Sequence, residues 1–211
     1  AEAIQKSFAA AFDLELNVEP QPSVYATAED LLTGFPHRLC LVSTRIGPFD
    51  DECHLLIPGE SLTFLVNQYF GGGSVTPPKL KTKVTPSEQR IGERVAREFL
   101  RTMAEIWVDR LPLQMSDLYV DVTPDRFSLI PADTGFAVFG FEMALGDEHK
   151  SAIKLLVPFD ELEAQSAAFI PRKKELPPSA DSSIWEPQVR SSLSDLSGEV
   201  SGSIEAKGKT I

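Results

Sequence analysis

The run Gly71-Gly72-Gly73-Ser74 is the first place in this 211-residue chain where residue types suggest chemistry, because clustered backbone amides cradle oxyanions. The nucleotide-binding pattern is not completed. No Gly-Lys-Ser/Thr follows, and the glycines come after a helix-like segment instead of before one. A helix stop followed by a turn also accounts for them. His37 with Cys40 and Cys53 with His54 supply zinc-ligand types. Adjacent residues on a strand point to opposite faces, however, so Cys53 and His54 do not readily share one metal. Both cysteines fall in apolar runs that read as neighbouring strands. They are expected as reduced core residues in the cytosol, with a disulfide as the alternative in an oxidising compartment. No G-x-S-x-G elbow is present, and the three histidines, His37, His54 and His149, leave few choices of general base. His149 is expected in a polar turn at 146–150, and Asp50-Asp51 in another at 47–51, where carboxylates bond locally. These residues assemble no catalytic or metal site, and no cofactor is expected.

The elements that carry these residues are written twice along the chain. Leu55-Leu56-Ile57-Pro58 is echoed by Leu155-Leu156-Val157-Pro158, and Leu62 by Leu162. Upstream of the first copy come a helical pattern (Ile4, Phe8, Ala11, Phe12), an extended piece, and an apolar run at 37–46 that turns into 53–57. Upstream of the second come a helix at 86–109, an extended run at 113–122, and a run at 136–145 that turns into 152–157. Each half reads helix, strand, hairpin, helix. The expected fold is therefore α/β: a pseudo-twofold duplicated α/β/α domain with one central sheet. The helix at 86–109 has the clearest signals. Thr85 is an N-cap, Pro86 suits the first helical position, and Glu88 completes a capping box. Ile91, Val95, Phe99, Met103 and Ile106 form an apolar stripe expected to be buried, opposite a solvated face of Glu93, Arg97, Arg101 and Glu105.

From Arg172 the composition shifts to Lys, Pro, Ser and Asp, which predicts a globular domain at 1–171 and a linker at 172–184. In 185–211, Trp185, Val189, Leu193 and Leu196 share a helical face, and Val200, Ile204 and Ala206 suggest the first strand of a further unit cut short. Starting at Ala and ending at Ile211, the sequence reads as an excised fragment. Its net charge of −11 repels phosphate backbones and anionic lipid, which argues against nucleic-acid binding. No stretch approaches the roughly 20 apolar residues needed to span a bilayer, and no secretion signal opens the chain, so a cytoplasmic protein without membrane insertion is expected.

Two segments in this order resemble the FliM family of flagellar motor switch proteins. The first is Ile57-Pro58-Gly59-Glu60-Ser61-Leu62-Thr63-Phe64-Leu65-Val66-Asn67-Gln68-Tyr69-Phe70-Gly71-Gly72, a strand leading into a helix that ends in "FGG". The second is Thr85-Pro86-Ser87-Glu88-Gln89-Arg90 followed by Ala104-Glu105-Ile106-Trp107, similar to the "T-x-x-E-x-R" start and "EAW"-like end of the next helix. The likeness covers about residues 1–171, and 185–211 resembles the beginning of a SpoA domain. It implies the pseudo-symmetric fold shared by FliM and CheC, and a non-enzymatic subunit of the cytoplasmic switch ring at the flagellar basal body. Such a subunit sits between FliG and FliN, self-associates in a ring, and responds to phosphorylated CheY, although the short CheY-recruiting motif is not found here. The resemblance assigns FliG binding to the loop Gly71, Gly72, Gly73 and Ser74, flanked by Phe70, Pro77 and Lys79. Ser74 departs from the family's GG-x-G, whose fourth glycine suits a positive φ or a close approach.

Two alternatives stay open, a CheC-type phosphatase of phosphorylated CheY and a FliM-like type III secretion component. The phosphatase places a Glu and an Asn three residues apart on a helix. The asparagines of this chain, Asn17 and Asn67, have Leu14 and Phe64 at that spacing, so the pair is absent.

Overall fold

A computed structural model describes residues 1–12, 16–70, 83–109, 111–116, 118–145 and 149–166. The proposed linker at 172–184 and the segment at 185–211 lie outside them. The first half contains helix α1 (Glu2–Phe12), strands β1 (Asn17–Pro20) and β2 (Val24–Thr27), helix α2 (Ala28–Gly34), the hairpin β3 (Leu39–Gly47) and β4 (Glu52–Pro58), and helix α3 (Gly59–Tyr69). The second half repeats the order. Helix α4 (Pro86–Trp107) is followed by β5 (Gln114–Met115), β6 (Tyr119–Asp121), a 3₁₀ turn (Phe127–Leu129), the hairpin β7 (Gly135–Leu145) and β8 (His149–Pro158), and helix α5 (Phe159–Ala164).

One eight-stranded sheet runs β1-β7-β8-β4-β3-β5, with β2 also on β7 and β6 also on β3. The outer strands of each half thus lie against the hairpin of the other half. The sequence repeat maps the pairings onto one another. Leu39 opposite Pro58 in the first hairpin becomes Phe136 opposite Pro158 in the second. At the centre, Leu55 faces Leu155, with His54 opposite Leu156 and Leu56 opposite Lys154. Exchanging the halves turns the last two pairs into each other and leaves the first unchanged, so the pseudo-twofold axis passes through Leu55 and Leu155.

Alternation along the hairpins feeds two cores, since successive strand residues face opposite sides. Cys40, Val42, Cys53, Leu55 and Ile57 pack with α1, α3 and α4 around Phe8, Leu62, Val95 and Phe99. Leu39, Leu41, Leu56 and Leu156 pack on the other face with Ala28 and Leu31 of α2 and with Phe127. Strands buried on both faces read as continuous apolar runs, which is why 37–46 shows no alternation in sequence. Gly92 lets α4 lie close on the sheet: a Cβ there would stand 2.7 Å from the Cys40 Sγ.

Three local expectations need correction. The run at 113–122 is two short strands, β5 and β6, pairing with different stretches of β3. His149 and Lys150 are strand residues of β8, opposite Leu145 and Ala144, rather than turn residues. On α4, Ile91, Val95 and Phe99 are buried and Met103 partly so, but Ile106 is 49% exposed. The helix ends there beyond the part of the sheet it covers.

Candidate functional site

Of the residues assigned to the docking loop, Phe70 is described; Gly71, Gly72, Gly73, Ser74, Pro77 and Lys79 lie outside the described residues. The structure therefore shows how the two ends of the loop are held. At the leading end the Phe70 amide donates to the Val66 carbonyl at 3.1 Å, completing the last turn of α3. Phe70 is nevertheless 71% exposed, with its ring edge-on to Tyr69 at 5.5 Å. An exposed aromatic pair is the side-chain type that interfaces use as anchors. Tyr69 was not singled out in the sequence, where its only signal was two aromatic residues just before a glycine run. The Arg94 guanidinium lies over the rings of Tyr69 and Phe12, at 5.3 and 5.1 Å, and donates to the Ala11 carbonyl at 2.6 Å. It thereby ties the ends of α1 and α3 to α4.

The trailing end enters α4 through a capping box whose Glu88 is buried. Thr85 accepts from the Glu88 amide, and the Glu88 carboxylate accepts from the Thr85 amide at 2.7 Å. The other Glu88 oxygen accepts from Arg38 at 2.8 Å and from the Thr63 hydroxyl at 2.5 Å. Arg38 enters because Gly59 lacks a side chain. The Gly59 amide donates to the Arg38 carbonyl at 2.8 Å, and a Cβ on Gly59 would stand 2.5 Å from that of Arg38. This network joins the start of β3, the middle of α3 and the first turn of α4, so it fixes how the two helices bracketing the loop lie together. Burial alone would raise the Glu88 pKa. Hydrogen bonds from Thr63, from the Thr85 amide and from Arg38 outweigh it and hold the carboxyl below its usual range. The sequence places lysines at 79, 81 and 83, and of these Lys83, among the described residues, is exposed beside this cap.

The other candidate chemistry is sealed in the cores. The Ser43 hydroxyl and His54 Nδ1 are 2.8 Å apart, a distance suited to a nucleophile and base. Their residues are 0% and 2% exposed, and the imidazole is edge-on to Phe127 and Phe136. Burial, with a smaller contribution from Arg126, lowers the His54 pKa to about 4, so the ring is neutral at physiological pH. Cys40 faces Ile57 and Cys53 faces Thr44 across the hairpin, four registers apart, and both are free. That separation, roughly 13 Å at 3.3 Å per residue, is beyond disulfide reach. Burial pushes both thiols up to about 12. Among the described residues no group of histidine, cysteine and acidic side chains could hold a metal ion. No helix among them is long and apolar enough to cross a membrane.

A duplicated domain whose interleaved halves share one antiparallel sheet, with helices packed on it, defines a class of pseudo-symmetric α/β folds. Comparison with solved structures narrows the class. The chain resembles the FliM middle domain of Vibrio alginolyticus with a TM-score of 0.69 at 15% identity, covering 80% of this chain and 94% of that one. A chain in the FliG–FliM complex of H. pylori gives 0.71 at 10% identity, covering 79% and 91%. Thermotoga maritima FliY gives 0.66 at 11%, covering 79% and 88%. The chain thus has the FliM middle-domain fold that its sequence motifs implied. No protein-family model matches the sequence, and no curated protein matches it.

Proposed function

We propose that the protein is a non-catalytic ring subunit of a bacterial flagellar motor switch, linking FliG to FliN and helping to set the direction of rotation in chemotaxis. The observation that carries this reading is the match over about four-fifths of the chain to FliM middle domains, one of them in a complex with FliG. The docking segment is Phe70 to Ser74 with Pro77 and Lys79. Consecutive glycines let a partner backbone approach closely, exposed Phe70 and Tyr69 offer apolar anchors, and the lysines give a local basic patch in an acidic protein. FliN, neighbouring copies in the ring and phosphorylated CheY complete the partner set, at the inner face of the cell membrane. Supporting a scaffold over an enzyme, the Ser43–His54 pair is closed to substrate.

The test is calorimetric titration of the chain with FliG from the same organism. Wild-type protein is expected to bind. Gly72→Trp is expected to abolish binding while its circular dichroism is unchanged. A folded Gly72→Trp protein with undiminished affinity places the interface elsewhere, and absence of wild-type binding overturns the switch reading.

A further inference from the structure

The buried ion pair at the head of α4 has no counterpart in the second half of the chain. Leu39 lies opposite Pro58 and Phe136 opposite Pro158, so Gly135 holds the position that Arg38 holds in the first half. By the same repeat Phe159 stands for Gly59 and Glu163 for Thr63. The second hairpin passes into α5 without the network that joins Arg38, Thr63 and Glu88 in the first. The junction of hairpin and helix therefore does not require it.

Nor is the pair arranged for the most stability. The Arg38 and Glu88 side chains are 10% and 5% exposed, and desolvating two charges is offset by their 2.8 Å contact only when their other polar atoms are also satisfied. The Arg38 Nε is buried without a hydrogen-bond partner. What the network supplies is direction. Both terminal nitrogens of the guanidinium lie 3.2 Å from the Thr63 hydroxyl and one of them 2.8 Å from Glu88, and such a planar fork orients what it joins. A second tie, Arg94 over Tyr69 at 5.3 Å, holds the end of α3 to α4 further along that helix. Attachment at two points fixes the angle between two helices, whereas attachment at one leaves a pivot.

We propose that Arg38 and Glu88 are positioning residues of the docking surface. They hold Tyr69 and Phe70, at the end of α3, in a fixed relation to Lys83 and the first turn of α4, and FliG affinity depends on that relation. This rests on the FliG reading. The pair itself is buried and does not reach a partner, while Tyr69, Phe70 and Lys83 are exposed. Anchors already held in place lose less freedom on binding, so the network raises affinity without adding a contact.

The test separates position from stability. Arg38→Met with Glu88→Gln removes both buried charges, and Gln keeps an oxygen for the Thr85 amide, so the urea midpoint should return towards wild type from that of Arg38→Met alone. In calorimetric titration with FliG the double variant is expected to bind at least tenfold more weakly. Spin labels at Asn67→Cys and Ser87→Cys in the chain without FliG are expected to show a broader distance distribution by dipolar EPR when the pair is removed. Arg38→Lys, which keeps the charge without the fork, is expected to weaken binding at least threefold and decides the matter if the double variant does not fold. Leu156→Ala, in the core on the opposite face of the sheet, is expected to lower the midpoint and leave affinity and distances unchanged. The proposal is overturned if a folded pair variant binds within twofold of wild type, or if affinity falls with the distance distribution unchanged. It is also overturned if Leu156→Ala weakens binding equally, since the loss would then follow stability alone. These outcomes leave the docking reading standing; absence of wild-type binding, seen before any variant is read, overturns both.

Discussion

Glu88 and His54 are both buried, but they respond to pH in different windows. The Glu88 carboxyl is held below its ordinary range, so its stabilisation is complete at neutral pH and is lost as pH falls below about 4.5 towards its folded value. Breaking its buried pair by Arg38→Met leaves a buried carboxylate without its charged partner and is expected to cost about 3–5 kcal/mol in urea denaturation at pH 7. His54 also has a lowered folded pKa, here because the charged form is excluded by burial. The unfolded chain binds a proton near pH 6.5 that the folded chain refuses until about 4, so stability should fall by about 3 kcal/mol across that window. Denaturation series from pH 7 to 4 should show this slope in the wild type and lose it in His54→Gln; persistence of the slope would assign it to another group. The cysteines give a simpler check. With thiols pushed up to about 12, Cys40 and Cys53 should resist a thiol reagent in the native protein and react once it is unfolded.

At the scale of elements, α4 shows two opposed effects at one position. Replacing Gly92 by Ala gains up to about 1 kcal/mol of helix propensity. The added Cβ would stand 2.7 Å from the Cys40 Sγ and 3.2 Å from Leu62 Cδ2, and overpacking of this kind costs about 1–3 kcal/mol. The contact should win. Gly92→Ala is expected to lower the midpoint of urea unfolding, and Cys40→Ala in the same protein to restore part of it by removing the sulfur. If Gly92→Ala stabilises, helix and sheet are not in contact as described. At the head of the same helix, Thr85→Ala removes an N-cap and is expected to cost about 1 kcal/mol, measurable in the same series.

The whole molecule is held together by exchange between its halves. Because β1 and β2 lie on β7 while β5 and β6 lie on β3, neither half carries its own complete sheet. Unfolding should therefore be one cooperative transition, with secondary- and tertiary-structure signals coinciding, and two separated transitions would show that the halves fold independently. The absent phosphatase pair is also a property of the whole arrangement. Asn17 sits on strand β1 and bonds to Glu19 at 3.0 Å, and Asn67 lies on α3 with Phe64 one turn before it. Added to phosphorylated CheY, the protein is expected to leave phosphate release unchanged; a catalytic increase would replace the scaffold with the enzyme.

The sequence by itself determined what local chemistry controls. The Thr85 capping box, the stripe at Ile91, Val95 and Phe99, and both hairpins are set by residues a few positions apart, and the repeat of Leu55 to Pro58 at Leu155 to Pro158 exposed the duplication. The FliM-like motifs named the fold in the same way. Other features belong to the tertiary structure. Nothing near β1 in sequence says that it pairs with β7, since pairing is decided by which edge remains open when the hairpins meet at Leu55 and Leu155. Arg38 carries no motif; it becomes a partner of Glu88 only because Gly59 lets α3 begin against it. Ile106 fits the apolar period yet stands exposed, because burial depends on whether a second surface arrives to cover a face, and periodicity records only that the face exists.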